Sequence, residues 1–413
     1  MPENVLAERG PVLRSALSRC IGIPGEQFAD EFWGRAALLS PANDDFADLF
    51  SAAAVDELVG RRALRTPFVR LAHEGDVLAP ARYTASGGFG AEVSDQVSSD
   101  KVLAEFAAGA TIVLQGLHRL WPPLVDFTRE LVEELGHPAQ VNAYVTPPSS
   151  QGFSPHYDTH DVFVLQVSGE KHWVIHAPVH PDPLKDQVWT DHRAAVAEAG
   201  RGTPVIDRVL RPGDALYLPR GWIHSATALG DTSIHLTVGI SAYTRADVVD
   251  TLLSLVGDSA ALRASLPMGI DVSDPDRLRP IVEATVTDLV AALTSEQDPV
   301  GLAARRLGAR FDRDTRPEPV APLATLSAIT ALSEHTTVRW RPSFGGRIDT
   351  AGDRVRLTAR GTVLSLPVEA APALHVLRTG DPVTVGSLPG LDLASALVVV
   401  RRLLREGVVV TSP

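Results

Sequence analysis

Apolar and polar positions change rhythm twice along this chain. Residues 1–60 carry short helical patterns such as "SAAAVDELVGRRA". The stretch "DKVLAEFAAGATIVLQGLHRLWPPLVDFTRELVEELG" sets a short apolar run, residues 111–114, between two patterns with apolar residues three and four apart. From residue 140 to 242 the period drops to two. "VFVLQVSGEKHWVIH" reads as two strands joined at Ser168–Gly169–Glu170, which predicts a hairpin. "GDALYLPRGWIH" and "TSIHLTVGISAY" read as further strands, the first opened by a Gly–Asp turn. Several short strands with regular turns predict a barrel or a sandwich. After Tyr243 the helical period returns in "RADVVDTLLSLVG" and "DRLRPIVEATVTDLVAALTSE". "DRDTRPEPVAPL" reads as a linker, and the tail from residue 321 mixes two helices with short strands.

Length and composition narrow the class. A chain of 413 residues exceeds one ordinary domain. Its net charge of −12 argues against broad binding to nucleic acid or anionic membranes. Cys20 is the one cysteine, which excludes an internal disulfide framework and a cysteine-rich metal site. The start, "MPENVLAERG", has no basic segment followed by an apolar one, so no signal peptide is expected. No apolar run approaches the roughly 20 residues of a membrane span. The expectation is a soluble cytoplasmic protein. Of the 38 basic residues only Lys101, Lys171 and Lys185 are lysines.

Candidate chemistry concentrates in one stretch. Residues 156–235 hold eight of the thirteen histidines. Local histidine enrichment points to metal binding. In an extended strand, residues i and i+2 face the same way, so His156 and Asp158 share a side. With His224 of "LPRGWIH" as a third donor, two imidazoles and a carboxylate make the facial triad of non-haem Fe(II) oxygenases, with coordination positions left open. His-x-Asp alone equally describes a hydrogen-bonded pair at a strand edge. His160 shares the parity and is a decoy for a ligand. Lys171 shares a face with Trp173 and Ile175 and is expected to point inward, where a lysine needs an anion. A lysine reaching solvent from the strand mouth is the other reading. His172, His176, His180 and His192 are expected on the outer face or in the following loop, and His235 as a satisfied core histidine. His73, His118, His137, His335 and His375 are expected on the surface.

Together, "NAYVTPPSSQGFSPHYDTHDVFVLQVSGEKHWVIH", "GDALYLPRGWIHSA" and "SIHLTVG" resemble the JmjC-type ribosomal oxygenases and their bacterial cupin-like relatives. The resemblance is dense over residues 142–239. It implies an α+β fold: a double-stranded β-helix (cupin/JmjC) core over residues 1–245, a helical dimerisation region over 246–310, and a winged-helix-like domain over 311–413. It implies that His156, Asp158 and His224 bind Fe(II) and are the catalytic centre. It implies that Lys171 binds the distal carboxylate of 2-oxoglutarate, with Asn142, Tyr144 and Thr237 lining the same pocket. One position departs from the pattern: some relatives have serine, on the substrate side, where this chain has Gly239.

The implied activity is hydroxylation of an amino-acid side chain in a protein or peptide, a ribosomal protein first, using O₂ and 2-oxoglutarate. The implied assembly is a homodimer. Demethylation of an N-methyl group would use the same iron site, as would oxidation of a natural-product peptide or small molecule. A non-enzyme reading is an inert metal-binding cupin with a winged-helix regulator. The tail argues against the regulator: residues 321–413 have ten arginines against seven acids, not the strongly basic face of a phosphate-binding domain, so no specific nucleic acid and no membrane is expected as partner.

Overall fold

The computed structural model describes residues 14–73, 75–90, 92–148, 154–257, 259–294 and 298–412. The N-terminal stretch read as lacking a signal peptide, and residues 149–153 of the quoted motif, lie outside them. The chain separates into two compact units, Met1–Ala242 and Tyr243–Pro413. The helical region and the tail distinguished in the sequence both fall in the second.

The first unit is built on a nine-stranded sheet whose pairings are all antiparallel. Its strands are β1 (Leu38–Ser40), β2 (Val69–His73), β3 (Thr111–Leu114), β4 (Ala139–Thr146), β5 (Asp161–His176), β6 (Ile206–Leu210), β7 (Ala215–Leu218) and β8 (Ile223–Ile240), plus the short strand Asp76–Val77. The spatial order is β1-β7-β5-β8-β4-β3-β2 and then Asp76–Val77, with β6 also paired to β5.

The predicted hairpin at Ser168–Gly169–Glu170 does not form. β5 runs unbroken for 16 residues, and β8 runs antiparallel to it for 18. Pairing holds at both ends, His176 with Ile223 and Asp161 with Ile240. Between Leu229 and Ile234 the register shifts, and opposite that shift lies Gly169 at φ +64°. A side chain at Gly169 would run into the backbone carbonyl of Thr232. Glycine there bends one strand rather than reversing the chain.

Alternation along β5 serves two cores. Phe163 and Leu165 face a helical layer, with Leu124, Phe127 and Leu131 of α3 (Pro122–Leu135) and Val55 and Leu58 of α1 (Ala52–Arg61) in the same cluster. Between these two helices in the chain lies α2 (Ser99–Ala107), which adds Val102. Val162 and Val164 face the opposite way and pack with Trp173, Ile175, Leu216 and Leu218. Each large apolar side chain so buried stabilises the fold by about 1.5–3 kcal/mol. Both faces of the sheet are covered, which is why "VFVL" reads as a continuous apolar run. α1 starts at Ser51, whose hydroxyl accepts from Ala54 N, and α3 starts on two prolines and stops at Gly136 in the left-handed region.

The second unit begins with α4 (Arg245–Val256), α5 (Pro275–Leu293) and α6 (Pro299–Asp314). Thr244 and Asp247 form a capping box on α4, and Arg310 of α6 pairs with Asp247 at 2.7 Å. The remainder is α+β, with two three-stranded antiparallel sheets around a core that includes Val338, Leu357, Leu374 and Val400. Its last helix, α7 (Leu393–Arg405), buries Ala396, Val399, Val400, Leu403 and Leu404, an i, i+3, i+4, i+7, i+8 stripe.

Candidate metal centre and its cavity

His156 lies before β5 and His224 at the start of β8. They meet through one antiparallel bridge: His224 N donates to His156 O at 2.8 Å and His156 N to His224 O at 3.2 Å. The ring centroids are 4.4 Å apart. Asp158 follows two residues on, its carboxylate 3.7 Å from His224 Nε2. The segment is locked to the turn before β8 by Gly221 N donating to Asp158 O and Arg220 N donating to the buried Asp161 carboxylate. One donor atom from each of His156, Asp158 and His224 lies within 4.8 Å of the others, a group that could hold a metal ion.

The imidazoles are held in the state a metal needs. His156 Nδ1 sits 2.8 Å from the Ser154 carbonyl and His224 Nδ1 3.0 Å from the Trp222 carbonyl. A carbonyl only accepts, so each Nδ1 carries the hydrogen, which directs Nε2 of each ring to the metal-ligating role. Burial, with the neighbouring His156 adding to it against the pull of Asp158, lowers His224 to about 4, so it is neutral at physiological pH. Burial pushes Asp158 up, but His224, His160, His156 and Arg70 together outweigh it and hold the carboxyl below its usual range. Neutral imidazoles and an ionised carboxylate are the ligating forms. His160 is not part of the group.

The three donors open onto a cavity of about 260 Å³. Lys171, 3% exposed, reaches into it from β5 and donates to Thr146 Oγ1 at 3.2 Å; Thr111 Oγ1 lies 3.4 Å from the same oxygen. Among the described residues, no acid other than Asp158 lines the cavity. Burial alone lowers Lys171 to about 7. Beside it, His235 stacks on Tyr144 (5.1 Å, 7°) and meets Trp173 edge-on. Burial and the Lys171 charge hold His235 well below the ordinary histidine range. Three buried atoms on residues lining the cavity, His235 Nδ1, Trp173 Nε1 and Arg70 Nε, have no hydrogen-bond partner among the described residues. A small polar anion would suit such a lining.

Thr237 and Tyr144 line this cavity. Asn142 does not: its side-chain oxygen accepts from Gly116 N at 3.1 Å, which anchors the loop before α3. His235, expected as a satisfied core residue, is buried yet borders the cavity with one nitrogen unsatisfied. His176 is buried rather than on an outer face. His118 accepts from Val141 N and His137 stacks on Trp33. Sequence reasoning missed Arg70, Thr146 and Trp189. Arg70 had one signal, a lone charge in a strand run between buried Val69 and Leu71; Thr146 shares the parity of Tyr144.

Comparison with known proteins accords with this geometry. A JmjC-domain family model matches residues 123–248, the segment that carries the triad, Lys171 and the cavity strands β4, β5 and β8. Rat ribosomal oxygenase 1 is 32% identical over 383 residues, covering 88% of this chain. The chain belongs to the JmjC ribosomal oxygenase family. It spans 58% of the length of that rat relative. Another family member, the mosquito (Aedes aegypti) bifunctional lysine-specific demethylase and histidyl-hydroxylase NO66, is 29% identical over 82% of this chain and 53% of its own. Escherichia coli YcfD, a ribosomal oxygenase, shares the fold over 94% of this chain and 98% of its own, with a TM-score of 0.54 at 20% identity. A further structure of YcfD holds cobalt and 2-oxoglutarate (TM-score 0.51, 18% identity).

Proposed function

We propose that this chain is an Fe(II)- and 2-oxoglutarate-dependent oxygenase that hydroxylates a side chain of a protein, with ribosomal proteins first among the targets. The observation that carries the reading is Lys171: a buried lysine with no acid beside it among the described residues, facing the same cavity as a His–Asp–His cluster. That pairing suits a co-substrate with a carboxylate at one end and a chelating group at the other.

His156, Asp158 and His224 would hold the iron, which when bound supplies oxidation of an unactivated C–H bond by O₂. The balanced reaction consumes the target C–H, O₂ and 2-oxoglutarate and yields the C–OH product, succinate and CO₂. The chain's own residues do the positioning. Lys171, charged, holds the distal carboxylate, and Thr146 shares that contact. Tyr144 and Thr237 line the cavity walls. Trp173, Val162, Val164 and Leu218 keep the inner lining apolar. The NO66 relative's name joins hydroxylation with lysine demethylation, and the same centre would serve an N-methyl target.

The exposed faces of α4 and α5 are proposed as a homodimer contact and residues 311–413 as a winged-helix-like domain. Among the described residues no helix is long and apolar enough to cross a membrane, and a cytoplasmic location is proposed from the ribosomal targets. The deciding experiment incubates the enzyme with Fe(II), 2-oxoglutarate, ¹⁸O₂ and ribosomal proteins from its own source. Labelled oxygen on a ribosomal side chain is expected. Turnover stimulated only by a small metabolite or a non-ribosomal peptide would sink the ribosomal reading and leave the oxygenase standing.

A further inference from the structure

On β8, His235, Thr237 and Gly239 alternate onto one face, and the first two line the cavity. At Gly239 the row has no side chain. The imidazole of His160 lies there instead: a Cβ on Gly239 would stand 2.5 Å from His160 Cδ2 and 2.7 Å from Nε2. Those separations are too short for any real Cβ, so the glycine is what lets the ring sit at this point. His160 is half-exposed and makes no hydrogen bond to another described residue. It follows Asp158 by two residues and is not one of the three clustered donors. Gly239 pairs with Val162, itself a cavity residue, so the ring continues the polar row of β8 at the border of the cavity lining.

A half-exposed imidazole offers one donor and one acceptor, or two donors, beside the reacting centre. We infer that His160, seated over Gly239, is a specificity-determining residue that hydrogen-bonds a polar group of the target side chain next to the carbon to be oxidised. The target class is a side chain with a hydrogen-bonding head group rather than a purely aliphatic one. The inference rests on the oxygenase reading above and adds the residue that selects the acceptor.

Four proteins test it: wild type, His160→Ala, Gly239→Ala and the double variant. The acceptor is the proteome of cells lacking this gene, with Fe(II), 2-oxoglutarate and ¹⁸O₂, and the peptide that wild type labels is quantified. His160→Ala is expected to lower kcat/KM for that peptide about 3- to 10-fold, as for one hydrogen bond to an uncharged partner, with Mn(II) and 2-oxoglutarate affinities unchanged. Gly239→Ala should lower it too, because the added methyl displaces the ring. The double variant should be no worse than either single one, since both act on one contact. His160→Asn should recover part of the loss. Wild-type labelling rates in folded His160→Ala, or losses that add in the double variant, would overturn the inference. Failure of wild type to bind 2-oxoglutarate with Mn(II) would instead overturn the oxygenase reading.

Discussion

At the scale of single residues, Lys171 is held in a place that opposes its own charge. Its ordinary pKa is 10.5, and burial takes it to about 7. The unfolded chain therefore binds more protons between about pH 7 and 10.5. This group's contribution to stability rises with pH across that window, and below 7 burial of the charge weighs on the fold in full. Lys171→Met should accordingly raise the melting temperature of the metal-free protein at pH 6, the gain vanishing towards pH 10. The same change should weaken 2-oxoglutarate binding by about 1.5–3 kcal/mol, the range for a hydrogen bond to a charged group. Thermal scans against pH and titration calorimetry with Mn(II) read the two effects. A variant that binds 2-oxoglutarate as tightly as wild type would remove Lys171 from the site. Because the bound dianion favours the charged lysine, wild type at pH 8 should take up a proton on binding, seen as a heat that depends on the buffer. No buffer dependence would count against the contact. Asp158→Ala should abolish metal-dependent succinate formation and leave the far-ultraviolet spectrum intact, since the carboxylate faces the cavity and not a core. Turnover at wild-type rate in this variant would exclude the proposed ligand set.

At the scale of elements, the bend shared by β5 and β8 decides where the chemistry stands. The strand segment 162–166 packs against its neighbours on both faces; beyond the bend, Lys171, Trp173 and Ile175 turn inward. Gly169 is the hinge of that geometry. Gly169→Ala combines a left-handed backbone with a clash against the Thr232 carbonyl and is expected to destabilise the first unit by more than about 2 kcal/mol. Chemical denaturation measures it, and an unchanged midpoint would contradict the bend as described. The same stretch shows a limit of sequence reading. "SGE" between two apolar runs has the composition of a turn, and a glycine at positive φ serves a chain reversal or a strand bend equally well. The choice lay with β8, which pairs with both halves of β5 at once.

At the scale of the whole molecule, the second unit presents apolar surface. No residue of α5 is buried, and Val282, Val286 and Val290 are exposed at successive four-residue steps; Val248, Val249 and Leu253 of α4 are exposed as well. An exposed apolar stripe of this kind marks an association surface. The chain is expected to be a homodimer, and Val286→Glu should shift it towards monomer in light scattering. A wild-type monomer at micromolar concentration would refute the dimer. The net charge of −12 favours a basic partner over nucleic acid, as the ribosomal proposal requires.

What the sequence determined by itself was whatever repeats locally. Period-two runs marked β5 and the two ends of β8, period-3.6 runs marked α3, α4, α5 and α7, and parity put Lys171 on one inward face with Trp173 and Ile175. His156 and Asp158 were legible as a pair because two residues of extended chain share a side. His224 was legible as a candidate third donor in a later strand, but nothing local ties residues so far apart in the chain to one site, and the resemblance made that link. The backbone bridge between His156 and His224 exists only once β8 lies beside the segment before β5. Tertiary structure alone placed Thr146 at Lys171, turned Asn142 away to Gly116, left nitrogens of His235 and Arg70 unsatisfied at the cavity, and laid the His160 ring over Gly239. The reason is physical: periodicity reports which side of its own element a residue faces, whereas its partner is set by the register and bending of strands distant in sequence.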